Sequence, residues 1–160
     1  MALKIAIPRE TAEFERRVAA TPDTVKKLTA LGCEITIETG AGDEASIPDD
    51  AFKAAGAKIA ANAQDALKDA DIVLSVQAPK DFSSIKKGAL LIGILAPYAN
   101  QKLMSDLAAA GIDAFAMELV PRITRAQSMD VLSSQSNLAG YKAVLDAAEQ
   151  FTRGFPMMMT

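Results

Sequence analysis

The sequence of 160 residues contains no histidine and no tryptophan, and it has a single cysteine, Cys33. Histidine is the commonest general base and metal ligand, so its absence excludes a Ser-His-Asp triad, a Cys-His pair and a histidine-containing zinc site. One cysteine excludes an internal disulfide and fits a reducing compartment. Any chemistry in this chain must therefore use carboxylates, arginine, lysine or a bound cofactor.

The sequence also lacks long apolar runs and any concentration of positive charge. No apolar stretch approaches the ~18 residues that a membrane-spanning helix needs, and no charged-then-apolar leader opens the chain. The net charge is −3 and the lysines are scattered, so nucleic-acid binding is not expected. Half of the residues are hydrophobic, enough for the core of one ordinary domain, and we predict a cytoplasmic protein.

Short apolar runs alternate with helical patterns along most of the chain. Thr21-Pro22-Asp23 is typical of a helix start, and Gly32 predicts the end of that helix. The alternation predicts an α/β fold, namely a doubly wound, mostly parallel sheet with helices on both faces, flavodoxin-like or Rossmann-like. The predicted strands cover residues 3–7, 34–38, 57–60, 71–76, 89–95 and 113–119, and further helices cover 49–55, 63–68 and 102–110; no helix is expected in 80–88.

Residues 40–45, GAGDEA, have the form of a dinucleotide-binding fingerprint. We reject that interpretation because Asp43 and Glu44 would place two negative charges beside a pyrophosphate, and Pro48 interrupts the helix that should begin within the motif. The better interpretation is a tight glycine turn before a helix. The predicted fold therefore lacks the glycine-rich dinucleotide finger.

Residues 121–141, PRITRAQSMDVLSSQSNLAGY, mix polar residues with single apolar ones and follow neither a helix nor a strand period. Apolar anchors such as Met129 and Val131 would fix the polar groups in one direction, as a binding loop requires. An irregular crossover with its polar residues in water explains the composition equally well.

A helix is predicted after this loop, from a cap at Ser136 or Asn137 to about Thr152. Its spacing is typical of a helix that packs on a core. We divide the chain into an α/β subdomain, residues 1–135, and a connecting helix with the start of a link, residues 136–160. The apolar residues of the predicted helix are Leu138, Tyr141, Val144, Leu145, Ala148 and Phe151.

The segment MELVPRITRAQSMDVLSSQSNLAGYKAV, followed by FPMMMT, closely resembles the N-terminal region of the alpha subunit of proton-translocating NAD(P) transhydrogenases. The runs KIAIPRE, RVAATPDTVKKL, ETGAGDEASIPDDAF and VLSVQAP also resemble that family, so the resemblance covers the whole chain. Alanine dehydrogenases share the first half of the pattern, but the block PR…RAQSMD…SSQSNLAGY is similar to transhydrogenases and not to them.

This resemblance implies that the chain helps to bind NAD(H) and to pass a hydride from NADH to NADP, coupled to proton translocation. It implies that Arg122, Gln127 and Asp130 are catalytic, and that these three and Ser133 bind the nicotinamide end of NAD(H); no metal is implied. It also implies an NAD-binding subdomain after Thr160, NADP(H)-binding and membrane components as partners, a homodimer, and a position on the cytoplasmic side of a membrane complex. The 160-residue chain alone is expected to be inactive.

Each of these residues also has a structural interpretation. Arg122 follows a proline whose fixed φ makes its direction reproducible, and Gln127 offers a donor and an acceptor but could be an ordinary surface residue. We expect Asp130 to be partly buried, with a ligand, Arg122 or Arg125 as its partner. Ser133 could donate to the carboxamide or cap the following turn.

Two alternative functions remain open. One is the substrate subdomain of an alanine dehydrogenase-like enzyme, whose relatives place a lysine where this chain has Gln77 and a histidine near Ala96; Arg17 would then meet a carboxylate or phosphate, unless it is a solvated loop residue. The other is a non-enzymatic α/β module that binds a partner through its methionine-rich end, residues 157–159.

Overall fold

A computed structural model describes residues 2–155 and divides the chain into two compact units, Met1–Leu119 and Val120–Thr160. The subdomain boundary at residue 135 stays a prediction. The methionine-rich end lies outside the described residues. Across the part of the chain that the structure describes, no helix is both long and apolar enough to cross a membrane.

The first unit contains one parallel sheet of six strands in the order β3-β2-β1-β4-β5-β6. This is the Rossmann order of a doubly wound sheet, so the predicted fold class is confirmed and the flavodoxin alternative is not the one adopted. The strands are β1 (Lys4–Ile7), β2 (Glu34–Glu38), β3 (Lys58–Ala60), β4 (Ile72–Gln77), β5 (Leu90–Ile94) and β6 (Asp113–Ala116).

Helices cover both faces of this sheet, because successive side chains of a strand point to opposite sides. Ile5 and Ile7 of β1 belong to one apolar cluster together with Val25 and Phe52, whereas Ala6 belongs to a second cluster. The helices of the first unit are α1 (Pro22–Ala30), α2 (Asp49–Ala54), α3 (Ala63–Leu67) and α4 (Gln101–Ala110). Residues 80–88 between β4 and β5 form turns and bends, as predicted.

Local signals in the sequence account for the ends of these elements. Thr21 is the N-cap of α1 and accepts a hydrogen bond from the Thr24 N–H at 3.3 Å. Residues 40–45 form the predicted tight turn: Gly40 has a φ of 71°, and its N–H donates to the Asp49 carboxylate at 3.0 Å. Strand β6 is shorter than predicted, since Met117–Leu119 form a 3-10 turn.

The second unit begins with a 3-10 helix, Thr124–Met129, and continues with α5, Val131–Gln150. The predicted helix start at Ser136 or Asn137 was wrong, because Asp130 caps the helix and the serines that follow are accommodated within it. The prediction of a core-packing helix was also wrong for this chain. All residues of α5 are at least partly exposed, including Leu138, Tyr141 and Val144.

Candidate functional site

The strand order reverses between β1 and β4, and ligands of doubly wound sheets bind outside the carboxyl ends of the strands at such a point. The loop after β1 and the end of β4 meet here. The Glu10 carboxylate accepts hydrogen bonds from the backbone N–H groups of Val76 at 2.6 Å and Gln77 at 3.1 Å. The Glu10 carboxylate thus links the loop after β1 to the end of β4 at the switch point.

A second carboxylate, that of Glu15, lies at the same place. Its Oε1 accepts hydrogen bonds from the Arg17 Nε at 2.7 Å and the Arg17 backbone N–H at 3.0 Å. Its Oε2 accepts from Arg17 Nη2 at 2.6 Å and from Gln77 Nε2 at 3.1 Å. Glu15 therefore brings together Arg17, a candidate carboxylate or phosphate ligand in the sequence, and Gln77, which stands where alanine dehydrogenase-like relatives place a lysine.

The two carboxylates differ in their acid–base properties. Burial raises the pKa of Glu10 above its ordinary value. The hydrogen bonds from the backbone N–H groups of Val76 and Gln77 lower this pKa, but by less than burial raises it. The hydrogen bonds from Arg17 lower the pKa of Glu15 to about 2, and Gln77 adds to that effect. In return, Glu15 raises the pKa of the Arg17 guanidinium. The Glu15–Arg17 pair is therefore ionised at neutral pH.

Two open clefts lie beside these groups. One has a volume of about 320 Å³ and is lined by Glu10, Glu15 and Arg17 among others. The other has a volume of about 260 Å³ and is lined by Glu10, Ser75 and Gln77 among others. The switch point is thus accessible from solvent although its charged groups already have partners.

The loops that follow β5 and β6 are tied together by Glu118. Its carboxylate accepts hydrogen bonds from the backbone N–H of Leu95 at 3.3 Å and from that of Ala96. Ala96 has a φ of 48°, in the left-handed region, and the hydrogen bond that its N–H donates to the Glu118 carboxylate holds it there. Glu118 therefore has a structural role, which is to fix the loop leaving β5.

In the second unit, the predicted cofactor-binding residues begin in a short turn. The Ile123 N–H donates to the Pro121 carbonyl at 2.9 Å, and the 3-10 helix that contains Gln127 follows directly. The side chains of Arg122 and Gln127 belong to exposed residues. The Gln127 carbonyl accepts a hydrogen bond from the Asp130 N–H at 3.3 Å, which links the end of this turn to the cap of α5.

Asp130 and Ser133 are in direct contact. The Asp130 carboxylate accepts from the Ser133 N–H at 2.9 Å and from the Ser133 hydroxyl at 2.6 Å. These bonds lower the pKa of Asp130, and the positive charge of Arg122 adds to the lowering. The partner of Asp130 is therefore Ser133, which was not among the partners expected from the sequence, while Arg122 acts on it through its charge.

The structure thus brings Asp130 and Ser133 together, places Arg122 within electrostatic reach of them, and connects Gln127 through its backbone. An ionised acid, a hydroxyl, a guanidinium and a primary amide form a donor and acceptor set suited to amide and ribose groups. Within residues 2–155, no group of three or more Cys, Asp and Glu side chains could hold a metal ion.

Sequence reasoning missed Glu10 and Glu15. The one available signal was position: both belong to the loop that leaves the carboxyl end of β1, where Arg17 was already a candidate. Which strand end that loop would meet depends on the pairing of β1 with β4, a contact between residues far apart in the sequence.

The order of the six parallel strands defines a doubly wound α/β domain, in which Glu10 links the loop after β1 to the end of β4. The family model for the alanine dehydrogenase/PNT N-terminal domain matches residues 6–139. The chain therefore belongs to this family.

Individual proteins of the family differ in their similarity to this chain, and the transhydrogenases are more similar to it than an alanine dehydrogenase is. It is 53% identical to the first part of NAD(P) transhydrogenase subunit alpha from Rhodospirillum rubrum, over 99% of this chain and 43% of that protein. A crystal structure of the transhydrogenase from Sinorhizobium meliloti superimposes with a TM-score of 0.92 and 49% identity, over 98% of this chain and 47% of that one. An L-alanine dehydrogenase structure gives a TM-score of 0.70 and 32% identity, over 74% and 33%. The chain spans less than half the length of these proteins.

Proposed function

We propose that this chain is the N-terminal subdomain of an NAD(P) transhydrogenase alpha subunit, which helps to bind NAD(H) and to pass a hydride from NADH to NADP, coupled to proton translocation. The observation that carries the proposal is the 53% identity to the Rhodospirillum rubrum alpha-subunit protein over 99% of the chain. The segment of residues 121–141 supports the proposal, because its sequence resembles that of transhydrogenases and not that of alanine dehydrogenases.

The side chains of the second unit support a role in binding the nicotinamide end of NAD(H). Arg122 and Gln127 belong to exposed residues, so their donors are available to carboxamide or ribose oxygens. The Ser133 hydroxyl and the Asp130 carboxylate fix each other's direction. When bound, the nicotinamide ring supplies the hydride, and we assign to these residues the work of binding and orienting it.

A hydride passed between two nicotinamides needs no proton donor on the protein, which agrees with a sequence that has no histidine. The Asp130 carboxyl, with its lowered pKa, stays ionised and acts as a hydrogen-bond acceptor rather than as an acid. Its role in this proposal is to hold the Ser133 hydroxyl and to balance the charge of Arg122.

The proposal also assigns partners. We place an NAD-binding subdomain, an NADP(H)-binding component and a membrane component around this chain, in a homodimeric assembly peripheral to the membrane on its cytoplasmic side. The exposed apolar residues of α5, such as Leu138 and Tyr141, support a covering partner, because large exposed apolar patches mark interaction surfaces.

The second candidate is the substrate subdomain of an alanine dehydrogenase-like enzyme, favoured by the TM-score of 0.70 to an L-alanine dehydrogenase. The switch point argues against it. Gln77 carries no charge and donates to Glu15, and the guanidinium of Arg17 is paired with the same carboxylate. Amino-acid oxidation also requires a base to take a proton from the substrate amine, and the sequence has no histidine for that step.

One experiment separates the two candidates. The sequence is joined to the remaining, unmatched part of a transhydrogenase relative and assembled with the NADP(H)-binding component. We expect NADH-dependent reduction of an NADP analogue and no NADH formation from NAD and L-alanine. Turnover with L-alanine in the absence of transfer to the analogue would favour the dehydrogenase and overturn the proposal.

A further inference from the structure

We propose that residues 11–14 form a lid over the cleft of about 320 Å³ in the first unit, and that the Phe14 ring closes this cleft by packing on the ion pair between Arg16 and Glu44. The proposal does not depend on the proposed function. In the structure the lid is open, because Phe14 is exposed to solvent. A closed lid excludes water from the cleft.

The first argument is the backbone conformation of Phe14. The Glu15 N–H donates to the Ala12 carbonyl at 3.2 Å and closes a four-residue turn whose third residue is Phe14. The φ of Phe14 is 62°, in the left-handed region, where a turn usually has glycine. A bulky side chain makes this conformation strained, so other interactions must offset its free energy.

The second argument is that the open position offers no such compensation. Two other non-glycine residues have positive φ: the Ser46 N–H donates to the Asp43 carbonyl at 3.0 Å, and the Ala96 N–H donates to the Glu118 carboxylate. Phe14 is 88% exposed, and its N–H has no hydrogen-bond partner among residues 2–155. Movement of the lid that covers the ring and relaxes the backbone therefore lowers two unfavourable terms at once.

The third argument is that both ends of the lid are fixed whereas its tip is not. Before it, the Glu10 carboxylate accepts hydrogen bonds from two backbone N–H groups at the end of β4. After it, the Glu15 side chain is only 7% exposed and accepts a hydrogen bond from the Gln77 side chain at 3.1 Å. Motion is thus confined to residues 11–14, where rotation of the peptide before Phe14 returns its φ to negative values.

The cleft has one wall that can move and one that is held in place. The loop after β1, which includes the lid, forms the first wall, and the second wall includes Gly40, Ala41 and Glu44 from the turn after β2. The Gly40 N–H donates to the Asp49 carboxylate at 3.0 Å, and Ala41 is buried, so this turn is fixed to the rest of the unit. Closure therefore moves the lid and not the turn.

The surface on which the ring packs is an ion pair that joins the two walls. Arg16 Nε lies 3.9 Å from Glu44 Oε2, and the two side chains are 77% and 60% exposed, so water and salt weaken this pair in the open structure. A ring packed on the pair excludes water, which strengthens the attraction, and it adds a cation–π contact with the guanidinium. Low ionic strength therefore favours the closed lid.

A single fluorophore tests closure in the 160-residue chain. The sequence has no tryptophan, so the emission of Phe14→Trp reports on this position alone. We expect its emission to shift to shorter wavelength, and its quenching by acrylamide to fall about twofold, when sodium chloride is lowered from about 1 M to about 0.01 M. Glu44→Gln in the same background should abolish this salt response, whereas Glu13→Gln, which removes an equal charge from the lid, should retain it.

A second measurement tests whether strain at Phe14 causes the motion. In wild type, ¹⁵N relaxation dispersion should show microsecond-to-millisecond exchange at the amides of residues 12–15. Phe14→Gly should suppress this exchange, because glycine adopts a positive φ without strain. Phe14→Ala keeps the strain and loses the ring, so Phe14→Gly should melt about 2–4 °C above Phe14→Ala.

Absence of exchange in wild type overturns the proposal, and so does exchange that persists in Phe14→Gly, because the motion would then have another cause. Emission of Phe14→Trp that is independent of salt also overturns it, as does a salt response that survives Glu44→Gln. The relaxation measurement needs only wild type and Phe14→Gly, so it decides even where the tryptophan variant does not fold.

Discussion

The Asp130 carboxylate accepts two hydrogen bonds from Ser133, one from its N–H and one from its hydroxyl. Asp130 is therefore both the N-cap of α5 and the fixed acidic group of the proposed nicotinamide site. A substitution at this position changes two properties at once unless the new residue still caps the helix. Asparagine caps a helix about as well as aspartate, whereas alanine does not.

Asp130→Asn and Asp130→Ala should therefore behave differently. We expect Asp130→Asn to retain the wild-type melting temperature and Asp130→Ala to lose about 1 kcal/mol of helix stability. In the assembled enzyme, both variants should slow hydride transfer more than they weaken NADH binding, because the charge that orients Arg122 and Ser133 is lost in each. Stopped-flow transfer at the wild-type rate in Asp130→Asn would assign Asp130 to capping alone.

Arg122→Ala is the second test, with Arg125→Ala as its matched control. Both arginines are exposed and lie three residues apart around the same 3-10 helix, so each substitution removes one positive charge from the same segment. We expect Arg122→Ala to reduce the rate of hydride transfer by at least tenfold, the equivalent of ~1.4 kcal/mol, with Arg125→Ala close to wild type. Equal effects would indicate a general electrostatic contribution instead of a specific contact.

The isolated 160-residue chain should bind NADH weakly or not at all. The proposed contacts reach only the nicotinamide end, and residues 40–45 form a tight turn whose Gly40 N–H is already bound by Asp49. Isothermal titration calorimetry of the chain with NADH measures this directly. A micromolar dissociation constant, about −8 kcal/mol, would show that the chain contains a complete nucleotide site.

The pKa of Glu15 leads to a prediction about acid stability. Its folded-state pKa of about 2 lies below the ordinary carboxyl value, so the pair with Arg17 stabilises the fold fully above that ordinary value and loses this contribution as the pH falls towards 2. We compare the free energy of unfolding of wild type with that of Glu15→Gln. The difference between the two should decrease by about 1–3 kcal/mol between pH 6 and pH 2. The decrease is smaller than the full pKa shift implies, because Arg17 is half-exposed and solvent partly screens the pair.

Urea unfolding of both chains at several pH values gives this difference, and the comparison cancels the titration of the other acids. A difference that stays constant from pH 6 to pH 3 would contradict the depressed pKa. A difference that grows on acidification would mean that the protonated form is the one stabilised by folding.

Much of the first unit could be predicted from local patterns. The apolar runs around Ile5 and Leu91 are buried strands, and the Thr21 cap, Pro22 and Gly32 mark a helix, because these signals depend on neighbouring residues alone. Strand order is different, since it depends on which strands pair after the chain crosses over the sheet. The alternation of strands and helices fitted two known orders, and only the pairing of β1 with β4 decides between them.

The second unit shows why helical periodicity alone can mislead. Leu138, Tyr141 and Val144 recur at helical spacing, and this spacing is the same whether the apolar face packs within the chain or on another partner. Asp130 has the residue type of both a ligand-binding group and an N-cap, and only its role as N-cap accounts for the start of α5 at Val131, earlier than the serine and asparagine signals predict. The contact of Glu15 with Gln77 spans 62 positions and had no local signal.

The inner position of β1 also has a consequence for biosynthesis. One edge of β1 pairs with β2, which leaves the ribosome soon afterwards, but the other edge pairs with β4, whose first residue is Ile72. At about 5–20 residues per second, the nascent chain must wait several seconds with that edge unpaired and with Ala6 lacking its neighbours from β4 and β5. Stalled nascent chains in which only β1 and β2 have left the ribosome should therefore be more sensitive to proteases and more dependent on chaperones than chains in which β4 and β5 have also emerged, because an open inner edge invites pairing with any other extended strand.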